Sequence, residues 1–168
     1  MINITSRSIF TAAVVSLLLV MTVGAAQAES SPASDESVSV SDAQIAAMAA
    51  ACSSAAESAS CVAAVQTLIN DLVAANTNIL LSKVIGSVAA RIASESNAGL
   101  AGQSSFDIGV LGNALSALAS MASSNGLTSL AKTVAAVSTN VKSGVQVDLH
   151  AISSGAGITL DDKSASPA

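Results

Sequence analysis

Apolar side chains recur along this chain at steps of three and four, the spacing that lines one face of a helix. Val62, Val65, Ile69 and Leu72 form such a stripe over residues 60–75. Leu81, Val84, Ile85, Val88 and Ile92 form the next, with Lys83, Ser87, Arg91 and Glu95 facing away. Leu72 and Leu81 lie nine residues apart, about 900° of helix and half a turn out of phase. The chain is therefore expected to break at Asn76-Thr77-Asn78. Ile108, Leu111, Leu115, Leu118 and Met121 mark a helix over residues 105–124. Leu127, Leu130, Val134, Val137 and Val141 mark another over residues 128–143, alternating three and four as at a seam between packed helices. A shorter helix over residues 42–52 precedes these, with Ile45 and Met48 on one face. Ser41, followed three residues later by Gln44, reads as its capping box.

Each of the last three helices is expected to stop at a glycine followed by an apolar residue: Gly99-Leu100, Gly126-Leu127 and Gly144-Val145. Glycine takes the left-handed turn that ends a helix, and the next apolar side chain folds back on the last turn. Beyond residue 145 the period changes to two. Val145, Val147 and Leu149 alternate with Gln146, Asp148 and His150, which predicts a short strand or extended arm. The "SSGAG" turn then leads to "ITL" as the second half of a β-hairpin. The expected fold is all-α: an up-and-down bundle of four to five short Ala-rich helices, ending in a short β-hairpin or extended arm. Residues 41–145 form the bundle, and residues 146–168 the arm and a disordered tail. The core should be thin, because each buried alanine contributes little apolar area.

The first 28 residues read as a removable export signal of the bacterial general-export kind. Arg7 gives the leader its positive charge, residues 9–23 are mostly apolar, and Ala26-Gln27-Ala28 is a small-x-small cleavage pattern. Cleavage is expected between Ala28 and Glu29. Residues 29–40, "ESSPASDESVSV", are acidic and polar and are expected to form a flexible lead-in. The reading places the protein in the periplasm, at the cell surface or outside the cell, with no stable membrane span after signal removal.

The remaining 140 residues carry five basic side chains against eleven acidic ones, a net of −6 with His150 neutral. They contain no basic stripe, and Phe106 is their only aromatic residue, which argues against nucleic acid as a partner.

Few residues offer chemistry. His150 is the only histidine; Asp148, two positions earlier, would share its face in a strand, the one arrangement that could serve a hydrolase. A surface histidine on a solvated arm is the simpler reading, and no G-x-S-x-G elbow occurs. Asp71, Glu95 and Asp107 fall on polar helix faces, Asp107 near a helix start where a carboxylate meets the helix dipole favourably. Gly99-x-x-Gly102, Gly109-x-x-Gly112 and Gly155-Ala-Gly157 fit caps and close packing rather than a phosphate loop.

Cys52 and Cys61 remain, in "ACSSAAESASCVAA". Two thiols and one distant histidine are too few for zinc, and the spacing is not that of a C-x-x-C redox site. An exported chain with an even cysteine count usually pairs them. On one straight helix residues nine apart stand about 13.5 Å apart along the axis, whereas a disulfide holds Cα atoms at roughly 4.4–6.8 Å. A disulfide here requires the helix to break and turn back between the cysteines. No cofactor, metal or catalytic residue is assigned. The expected function is non-catalytic, acting through an unidentified protein partner or self-association. The alternative is a carrier of apolar ligands or a membrane-active amphipathic protein; a hydrolase using His150 ranks last.

Overall fold

A computed structural model of the chain describes residues 38–159. Six helices cover 71% of them, and no strand occurs among them. They are α1 (Asp42–Ala51), α2 (Ala59–Ala75), α3 (Leu81–Leu100), α4 (Ile108–Ser124), α5 (Thr128–Lys142) and α6 (Leu149–Ala156). The expected leader, the expected cleavage between Ala28 and Glu29 and most of the expected acidic lead-in lie outside the described residues.

Side-chain caps start four of the helices. Ser41 and Gln44 form the expected reciprocal capping box on α1. Ser58 caps α2, Asp107 accepts the Val110 N–H at 2.9 Å to cap α4, and Asp148 accepts the His150 N–H at 2.9 Å to cap α6. Each satisfies an amide that the first turn leaves without an intrahelical partner. Asn76 ends α2, so the expected break between the second and third stripes is present.

The C-terminal β-hairpin is corrected. Residues 145–148 form neither helix nor strand, and the chain then enters α6. Gly157, at φ 65°, ends α6, and Ile158 N–H bonds back to the Ser153 carbonyl at 3.0 Å while its side chain joins the core. This is the same glycine–apolar stop found after α4 and α5. The count of four to five helices therefore becomes six among the described residues. The stop expected at Gly99 is also displaced: α3 runs on to Leu100, and Gly102, at φ 74°, makes the turn.

α3 packs against α2, α4, α5 and α6. Residues 84–90 are buried all the way round its axis, which only a helix covered on several sides can be. Small side chains there let neighbours close in. A Cβ placed on Gly86 would come within 2.1 Å of the Ala156 Cβ, so α6 rests directly on the α3 backbone. Further along α3, the Asn97 amide donates to the Val147 carbonyl and accepts its N–H, both at 2.9 Å. Residue 86 meets 156 while 97 meets 147, so the α6 arm runs antiparallel to α3.

The segment before α1 is also tied down. Val38 donates its N–H to Ser87 Oγ at 3.3 Å, and both Val38 and Val40 are buried. Val38 and Val40, at the end of the expected flexible lead-in, are thus part of the core, with Ser39 between them exposed. Ser87, expected to face solvent, is one of their partners. Arg91 joins Asp42 at the start of α1 to Glu95 one turn along α3, and Glu95 accepts from Ser104 at 3.0 Å.

Candidate functional site

The disulfide corner sets the position of α2. α1 ends at Ala51, the chain turns through residues 53–58, and α2 begins at Ala59. The Cys52 and Cys61 sulfurs lie at disulfide distance, 2.00 Å, with Cα atoms 4.3 Å apart and both residues fully buried. Ser60 Oγ donates to the Ala51 carbonyl at 3.0 Å, and the Asn113 side-chain amide donates to the Cys52 carbonyl at 3.2 Å. These bonds hold the turn against both helices and against α4. Because Cys61 must face Cys52, α2 presents Cys61, Val65, Leu68, Ile69 and Leu72 to the core. Val62, expected inside, is rolled out and is 47% exposed.

An open cleft of about 550 Å³ lies beside this corner. Ser54, Ala55, Ala56 and Glu57 of the turn form one part of its lining, with Val62 of α2. α4 adds Asn113, Ser116, Ala117 and Ser120, and α5 adds Lys142. α4 and α5 are antiparallel, since residue 112 meets 142 and residue 116 meets 138. The Lys142 stem crosses the notch left by Gly112, where an added Cβ would stand 2.5 Å from the lysine Cγ.

From there the Lys142 ammonium donates to Ser116 Oγ at 2.9 Å. Ser116 and Ser138 hydroxyls are 2.7 Å apart, and Ser138 donates to the Gly112 carbonyl at 2.8 Å. A serine has one proton to give. Ser138 spends its own on Gly112, so Ser116 donates to Ser138, and the chain of bonds points inward between the helices. A serine–lysine nucleophile needs the opposite order, with lysine removed from water and accepting the serine proton. Lys142 is exposed. The arrangement ties α4 to α5 and leaves the ammonium's remaining N–H groups to the cleft.

Glu57 and Lys142 line the same cleft yet do not pair. The ion pairs among the described residues are those of Arg91 with Asp42 and with Glu95. The cleft therefore holds one carboxylate and one ammonium, with neutral hydroxyl and amide groups and a small apolar surface.

The remaining sequence candidates disperse. Asp148 bonds the backbone of His150 as a helix cap, and the His150 side chain is on the exposed surface of α6. The shared strand face on which a hydrolase reading depended is absent. Asp71 is exposed on α2, Asp107 is the α4 cap, and Glu95 belongs to the Arg91 cluster. Among the described residues no three or more His, Cys, Asp or Glu side chains gather as metal ligands, and no helix is long and apolar enough to cross a membrane.

Sequence reading missed Asn113, Ser116 and Lys142. Their signal is a pair of one-turn steps, Gly112 to Ser116 and Ser138 to Lys142, placed symmetrically about the turn near residue 127. An antiparallel hairpin folded at that turn sets these two steps face to face.

No protein-family model, curated protein or solved structure matches this chain.

Proposed function

We propose that this is an exported, non-catalytic helical module that acts through contacts with another protein or with a second copy of itself. The observation that carries the reading is the outer face of α2. Val62 and Val73 are 47% and 37% exposed, and they lie eleven residues apart. That separation is about 1100° of helix, close to three full turns, so both share one face. Leu80, just past the helix, is 66% exposed. Scattered exposed apolar residues are ordinary, but aligned ones on a single element are what contact surfaces use. The leader and the buried cysteine pair are consistent with an oxidising destination outside the cytoplasm.

Site-specific photo-crosslinking tests the reading. A crosslinker in place of Val73 should give a discrete adduct, and one in place of Lys132 on α5 should not. Equal adducts at both positions, or none at Val73 together with a concentration-independent monomer, would overturn it. The carrier alternative finds less support, because the cleft is lined by several polar groups.

A further inference from the structure

We propose that the cleft beside the disulfide corner binds a short zwitterionic peptide, its carboxylate held by Lys142 and its ammonium by Glu57. The inference does not rest on the α2 contact surface, although Val62 at the start of that surface also borders the cleft. It rests on the two opposite charges that share the cleft without pairing. A simple anion would meet Lys142 but be repelled by Glu57, and a simple cation the reverse. Only a ligand with both charges satisfies both walls.

The rest of the lining narrows the class. Ser54 and Ser120 carry hydroxyls that both donate and accept, which suits the alternating N–H and C=O groups of a peptide link. Val62 and Ala117 offer a small apolar surface. No aromatic side chain lines the cleft, so a sugar ring or a nucleobase finds no stacking platform. The volume falls within the range of small-ligand sites, roughly 300–1,000 Å³. A site of that size admits a few residues of extended chain.

Lys142 is preorganised for the role. Its stem is laid across Gly112 and its ammonium is anchored at Ser116, so less side-chain freedom is lost when a carboxylate arrives. The disulfide fixes the turn that carries Glu57. The two charges are thus held by separate elements that a covalent bond and a hydrogen-bond chain keep in place.

Amide NMR titration of the purified, oxidised protein with triglycine tests this, using the N-acetylated and C-amidated forms as comparisons. The expected result is saturable shifts at residues 54–57, 113–120 and 142 with the free peptide, and about fivefold weaker binding with either capped form. Lys142→Gln should weaken the free peptide and leave the C-amidated form unchanged; Glu57→Gln should do the same for the amine end. Glu57 is on an exposed turn, so this variant decides the matter if Lys142→Gln disturbs packing. Absent shifts, shifts confined to the α2 face, or equal binding of capped and free forms would overturn the proposal.

Discussion

Two glycines show how single residues govern this molecule. At Gly86 the Cβ of any other residue would fall 2.1 Å from the Ala156 Cβ. Gly86→Ala should therefore force α6 off α3, at a cost of about 1–3 kcal/mol in chemical denaturation. If stability is unchanged, α6 does not rest on α3 as described. At Gly112 the obstacle is the flexible Lys142 stem. Gly112→Ala should cost less than Gly86→Ala, and the displaced ammonium should lose Ser116. The sequence announced neither contact. Composition marked both positions as small, but only the packed structure says which backbone approaches and which side chain passes over. Val62 carries the complementary lesson. Its hydropathy and spacing place it inside, yet a disulfide is a stronger constraint than one valine's burial. With Cys61 turned to Cys52, the adjacent residue is rotated by about 100° and emerges on the surface.

At the scale of elements, the strongly periodic helices were legible, and the weak ones were not. α4 and α5 follow their stripes, and the Ser41 capping box is present where the motif lies. α3 runs one residue past Gly99, to Leu100, and Gly102 makes the stop; a Cβ on Gly99 would stand 3.4 Å from Ile108 Cγ1, so that glycine serves packing. The α6 segment misled through local alternation: Val145, Val147 and Leu149 do alternate, but only Val147 is buried, pinned by Asn97. The overlooked signals were Asp148 as a cap and Gly157-Ile158 as a stop. Asn97→Ala removes two hydrogen bonds from a single backbone residue. It should destabilise the protein by about 1–3 kcal/mol and raise amide exchange across residues 147–156 before the rest of the chain. Uniform protection loss would mean that α6 opens only with the whole domain. Ser41→Ala should cost about 1 kcal/mol through the lost cap, read as a lower midpoint with an unchanged denaturant slope.

At the scale of the molecule, α3 packs against α2, α4, α5 and α6 and is met by the segment from Val38, while one covalent link fixes the α1–α2 corner. Closing a loop of this length contributes roughly 2–3 kcal/mol by restricting the unfolded chain. Cys52→Ala with Cys61→Ala should lower stability by about that much or more, since both sulfurs are buried in the core. The same pair of substitutions should loosen residues 53–58 and blur the cleft that they line. That sequence could foretell the staple and not the cleft has a simple cause. The staple depends on two residues near each other in the chain, whereas the cleft brings residue 57 to residues 113 and 142.

Intact mass of the protein recovered from cells, measured without reductant, tests the account most directly. The account predicts a chain that begins at Glu29 and weighs two hydrogens less than its dithiol form, with no thiol open to alkylation. A chain that retains the leader and carries two alkylatable cysteines would contradict both the exported destination and the covalent corner on which the cleft is built.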